Sequence, residues 1–180
     1  PLLMEGQTNN LSVEHLSMLT TPIYLLKGDS VVSQGTGFYL VKQDTAKKQE
    51  LLFLITNYHV ITGSAPNEGK QPIGDNIIFL FHKNPANPRE VKQVRYPLFT
   101  KTKVPVWKSS TKYNDADIAI IPLPPPLYKD CSVFAITEDW AKPVIKVRPT
   151  SQLTLVGYPY GYYDTTNSLP IWKTGSVASE

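Results

Sequence analysis

The sequence predicts an all-β protein, and three observations carry that reading. Short apolar runs such as Leu51-Leu52-Phe53-Leu54-Ile55 and Ile77-Ile78-Phe79-Leu80-Phe81 recur along the chain, bounded by proline, glycine and asparagine. Sixteen prolines leave little room for long helices. The runs return every ~8–15 residues with turn chemistry between them, the rhythm of a β-sandwich or β-barrel.

The elements follow in chain order. Leu11, Leu16 and Leu19 allow one or two helical turns over Leu11–Leu19, with Ser12 as a cap. Strands are expected at Ile23–Lys27, Gly37–Lys42, Leu51–Asn57, Asn76–His82, Val91–Tyr96 and Asp117–Pro122, where β-branched and aromatic residues concentrate. Gly63–Lys70 and Asn84–Pro88 have the composition of loops. The run Pro122-Leu123-Pro124-Pro125-Pro126-Leu127 favours a stiff, extended polyproline connector between two packed units. Three further strands are expected after it, at Val144–Val147, Leu153–Tyr158 and Ile171–Ala178.

The 180 residues can bury a substantial core, and 41% hydrophobic with 18% charged residues is ordinary globular composition. The longest apolar runs are far shorter than the ~20 residues a membrane-spanning helix needs, so no membrane span is expected. Pro1-Leu2-Leu3-Met4-Glu5 lacks the basic start of a signal peptide. Pro1 is not an initiator residue, and the numbering is expected to begin within a longer polypeptide. Cys131 is the single cysteine, so no intrachain disulfide can staple the fold. A cytoplasmic or bacterial periplasmic setting fits this better than a disulfide-dependent secreted one. Lys129-Asp130-Cys131-Ser132 offers no glycine for an oxyanion hole, and Cys131 is expected to be a buried structural thiol.

The net charge of +3 is unevenly spread. Lys83, Arg89, Lys92, Arg95, Lys101, Lys103, Lys108 and Lys112 fall in one stretch against the single acid Glu90, with Tyr96, Phe99 and Trp107 interleaved. Such a stretch can touch nucleic acid, but lysines also guard exposed sheet edges against aggregation. The second reading is preferred, and no specific nucleic-acid partner is expected.

The chemistry centres on His59, which closes an apolar strand within Thr56-Asn57-Tyr58-His59-Val60-Ile61, and on Asp117, which opens Ile118-Ala119-Ile120-Ile121. An imidazole at the end of one buried strand and a carboxylate at the head of another suit a general base and the group that orients it. Asp115 is the rival acid, since it shares a pleat face with Asp117, but only Asp117 directly precedes the apolar run. His15 and His82 have no partner at metal-ligand spacing, and neither a metal nor a cofactor is expected.

Gly35-Thr36-Gly37-Phe38, Thr56-Asn57-Tyr58-His59-Val60, Asp117-Ile118-Ala119-Ile120-Ile121, Gly157-Tyr158-Pro159 and Thr174-Gly175-Ser176-Val177-Ala178-Ser179 stand in one order along the chain. In that order they resemble segments of the trypsin-like (chymotrypsin-fold) serine peptidases, particularly the disulfide-poor bacterial kind. The resemblance implies two antiparallel β-barrels with the active site between them. Residues 1–20 would form an N-terminal extension, 21–121 a first barrel carrying His59 and Asp117, 122–143 the connector, and 144–180 the first strands of a second barrel. It further implies a serine endopeptidase that hydrolyses a polypeptide substrate through an acyl-enzyme.

One departure is plain. No serine here lies in Gly-x-Ser-Gly, the setting that points backbone N–H groups at the oxyanion. Ser176 follows Gly175 but precedes Val177, and its alternating surroundings read as a strand. The nucleophile is therefore expected beyond residue 180, in a C-terminal remainder that also completes the second barrel, and residues 1–180 alone are expected to be inactive. The alternative is a non-catalytic member of the fold, a binding or scaffold module that never had the serine.

Overall fold

One long strand organises the molecule, whose computed structural model describes residues 13–142 and 146–178. β2 (Ser30–Asp44) is 15 residues long and serves two partners in succession. Its first half pairs with β1 (Thr20–Lys27), from Thr20↔Phe38 to Lys27↔Ser30, and its second half with β3 (Gln49–Thr56), from Gly37↔Thr56 to Asp44↔Gln49. From sequence this strand was expected to begin only at Gly37. Ser33-Gln34-Gly35-Thr36 has turn-like composition, yet each of these residues finds a partner on the apolar β1. Tertiary pairing overrides local propensity here.

β4 (Asn76–Asn84) and β5 (Asn87–Pro97) form a hairpin, and β6 (Ala119–Leu123) pairs with β3. The expected loop Asn84–Pro88 shrinks to Pro85-Ala86, where the Asn84 side chain accepts the Ala86 N–H at 2.9 Å. The sheet order is β5-β4-β1-β2-β3-β6, antiparallel throughout this path. Pro22 is tolerated inside β1 because β4 joins that strand only at Tyr24–Leu26, leaving Pro22 paired on one side.

The proline-rich run packs on this sheet. Pro124 keeps polyproline dihedrals (φ −71°, ψ 143°), but Pro125–Leu127 winds into a 3₁₀ turn. Tyr128, Cys131 and Val133 then enter the core. β7 (Ile136–Thr137), which sequence reading missed, lies parallel to β2 at Leu40 and Val41. Two residues give no periodicity to detect, and the pairing exists because β1 leaves that edge of β2 uncovered. The expected strand Val144–Val147 falls partly outside the described residues, and Lys146 and Val147 carry no strand.

A second, two-stranded sheet consists of β8 (Gln152–Gly157) and β9 (Ile171–Ser176), in register from Gln152↔Ser176 to Gly157↔Ile171. It is fastened to the rest by polar contacts from both strands' ends. The Tyr158 N–H donates to Thr36 Oγ1 at 2.8 Å, and Trp172 Nε1 donates at 2.9 Å to Ser17 in α1 (Val13–Met18). α1 falls within the expected helix Leu11–Leu19, while Leu11 and Ser12 lie outside the described residues. Met18, Leu19 and Phe134 form a small buried cluster beside this junction. Leu153 and Leu155 on β8 remain exposed.

The main core is built from alternating residues of the larger sheet, including Ile23, Leu25, Tyr39, Leu54, Phe79, Phe81 and Ile121. Tyr39 stacks on Phe81 with centroids 4.8 Å apart and donates its hydroxyl to the Leu80 carbonyl, so its one polar atom is satisfied. Burial pushes the Cys131 thiol up, in keeping with a structural rather than a nucleophilic role. Among the described residues, no helix is long and apolar enough to cross a membrane, and Cys131 is a free thiol.

His82 is buried at 3% exposure, with Nδ1 donating to the Pro88 carbonyl at 3.0 Å. Burial holds its pKa below the ordinary histidine value, a loss that the Pro88 bond only partly offsets. The unfolded chain therefore binds a proton that the folded chain refuses. His82's contribution is fully present above the ordinary value of about 6.5 and is lost as pH falls below it. The melting temperature should fall between about pH 7 and about pH 5, and less so in His82→Asn, whose amide still reaches a carbonyl but takes up no proton. Thermal unfolding of both proteins across this range checks it; parallel curves would refute the assignment.

Candidate active site

The turn after β3 delivers the histidine. β3 ends at Thr56, and α2 (Tyr58–Thr62) begins at once, with Asn57 extended at its N-cap position (φ −74°, ψ 144°). Gly63 closes this short helix at φ 79°, donating its N–H to the His59 carbonyl at 2.8 Å. Val60, Ile61 and Thr62 are buried, which anchors the helix and leaves His59 on its outer side.

Gly35 explains the first glycine of Gly35-Thr36-Gly37. A Cβ there would come within 2.5 Å of Val60, so only glycine lets α2 lie this close to β2. Thr56 Oγ1, at the end of β3 just before α2, donates to the Thr36 carbonyl of β2 at 2.8 Å. The position of His59 is thus set by the core on one side and by β2 on the other.

Asp117 arrives from the opposite direction, two residues before β6. Because Thr56 pairs with Ala119, the head of β6 lies beside the end of β3, and the two side chains meet. His59 Nδ1 lies 2.6 Å from Asp117 Oδ2, and the His59 backbone N–H donates to Oδ1 at 2.9 Å. Asn57 Nδ2 donates to Asp117 Oδ2 at 3.2 Å and to the Asp117 carbonyl at 3.1 Å. Since a carboxylate only accepts, Nδ1 carries the proton, which in a neutral ring makes Nε2 the acceptor. The pair is open to solvent, with side-chain exposures of 55% for His59 and 38% for Asp117.

Partial burial raises the Asp117 carboxyl pKa, but the His59 backbone N–H, the His59 ring and the Asn57 amide outweigh it and hold it below the usual range. The carboxylate therefore stays ionised well into acid, and these bonds fail only as pH falls through that depressed value. Such a pair can accept a proton at Nε2 while the developing imidazolium is stabilised from behind.

The other candidate residues lie elsewhere. Asp115 is exposed and makes no hydrogen bond or ion pair with His59 among the described residues. His15 stacks on Phe134 at 4.6 Å. Ser176 is the exposed last residue of β9, opposite Gln152. No three of His, Cys, Asp and Glu form a metal-ligand group among the described residues. The basic residues spread over the end of β4, β5 and the segment after it, and Arg95 on β5 pairs with Asp29 at 2.7 Å. The aromatics between them turn inward: Trp107 is buried, and Tyr96 and Phe99 pack against the core. The member of the His59–Asp117 cluster that sequence reading passed over is Asn57, although it stands two positions before His59.

No family model matches the chain, and no curated protein matches it.

Proposed function

We propose that this chain carries the base and the orienting acid of a serine endopeptidase with a chymotrypsin-like double-barrel fold. The observation that carries the reading is the bond between His59 Nδ1 and Asp117 Oδ2, reinforced by the backbone N–H of His59 on the second carboxylate oxygen. Three features support the barrel architecture. The segment after β5 bridges the two ends of the larger sheet: Val106 N donates to Leu98 O at 2.9 Å, while Lys108 and Ile120 exchange backbone bonds at 2.8 Å. The Tyr96 hydroxyl reaches the Pro122 carbonyl on β6. The exposed leucines of β8 suit a sheet that continues into further strands.

In this proposal the nucleophilic serine is supplied by polypeptide following Glu180. His59 Nε2 removes the hydroxyl proton as the serine oxygen bonds to the scissile carbonyl carbon. The tetrahedral adduct collapses, the C–N bond breaks, and the proton on Nε2 passes to the departing amine. A water then yields its proton to Nε2 and its oxygen to the acyl carbon, releasing the serine with its hydrogen restored.

The test uses the complete polypeptide containing residues 1–180, treated with a serine-directed phosphonate and assayed on a mixed peptide library. Covalent labelling at one serine together with peptide cleavage, both lost in His59→Ala, is the expected result. A complete protein that takes no label and cleaves nothing would leave the binding or scaffold module as the reading.

A further inference from the structure

Asn57 occupies a helix N-cap and does not cap. Asparagine is among the strongest residues for accepting the free N–H groups of a helix's first turn, yet its side chain makes no such bond. Instead Nδ2 bonds both the carbonyl and the Oδ2 of Asp117. Both partners are acceptors, which fixes which end of the amide faces them. The geometry points to Asn57 as the positioning residue of the pair, holding Asp117 so that the proton of His59 stays on Nδ1.

The topology shows why something must fill this place. The β3–β6 ladder ends at Thr56↔Ala119, because β3 turns into α2 directly afterwards and the Asn57 carbonyl is already taken by Val60 N. Asp117 lies two residues beyond the last paired position, where no backbone donor of β3 reaches it. The Asn57 amide extends the ladder with a side chain and clamps the main chain and the carboxylate of Asp117 together. Without the clamp, Asp117 is held by His59 alone, and the imidazole is free to carry its proton on Nε2. That tautomer has no lone pair facing outward.

The catalytic consequence rests on the proposed peptidase activity, but the positioning role has a readout of its own. In the complete polypeptide, nitrogen-15 and proton NMR of the His59 ring should show the Nδ1–H tautomer and a far-downfield Nδ1 proton. Asn57→Ala should shift the ring toward Nε2–H and weaken that resonance, with backbone amide spectra otherwise retained. Asn57→Leu keeps the shape but has no donor, and it gives the same answer even should the alanine variant unfold. For peptide hydrolysis, kcat should fall about tenfold with KM unchanged, the scale of one bond to a charged acceptor. An unchanged tautomer and resonance in the folded variants overturns the role. Loss of the signature in a protein that never cleaves peptides upholds the role and removes only the peptidase reading.

Discussion

His59→Ala and Asp117→Asn should each lower kcat/KM for peptide hydrolysis by roughly 10⁴-fold in the complete protein, without lowering its stability by a comparable measure. The two substitutions act differently. In the proposed mechanism alanine removes the base, so no group takes the serine proton. Asparagine keeps the volume of Asp117 but presents an amide that can reverse the hydrogen bond, leaving the proton on the wrong ring nitrogen. Both side chains are substantially exposed, so neither deletion opens a cavity. Combining them should cost little more than either alone, because both work through the same imidazole. The measurement is kcat/KM for each variant beside its urea midpoint. If Asp115→Asn carried the loss while Asp117→Asn was neutral, the acid assignment would be wrong.

The two ends of the candidate site were legible for a simple reason. His59 and Asp117 each terminate an apolar run, and such runs mark strands whatever partner they find. Strand pairing then set Thr56 opposite Ala119, a fact of register that no local pattern encodes. Asn57 was hidden because its role depends on that register: in sequence it reads as the last residue of the strand Leu51–Asn57. β7 was hidden because two residues have no period, and the early half of β2 because Gln34, Gly35 and Thr36 look like a turn until β1 lies beside them. What local chemistry decides was visible; what a neighbouring strand decides was not.

Phe79→Ala should produce the largest loss of stability, about 3–5 kcal/mol, while leaving the activity per folded molecule intact. Phe79 is fully buried at the centre of β4, opposite Val94 on β5, and meets Phe81 edge-on with centroids 5.5 Å apart. Truncation removes the ring's burial and its aromatic contact, and the surrounding sheet is too constrained by its register to close the gap. A domain of ordinary stability has only about 5–15 kcal/mol to lose, so a visible unfolded fraction at physiological temperature is a realistic outcome. Phe79→Leu retains most of the volume and should cost less than half as much. In the sheet order, β1 and β2 separate β4 from β3, the strand that leads into the His59 helix, so the His59–Asp117 pair should not move. Urea unfolding gives the stability difference, and active-site titration followed by kcat on the folded fraction gives the second quantity. A variant that unfolds like wild type, or one that keeps its stability and loses kcat, would contradict the placement of Phe79 in the core and of the chemistry at the far end of β3.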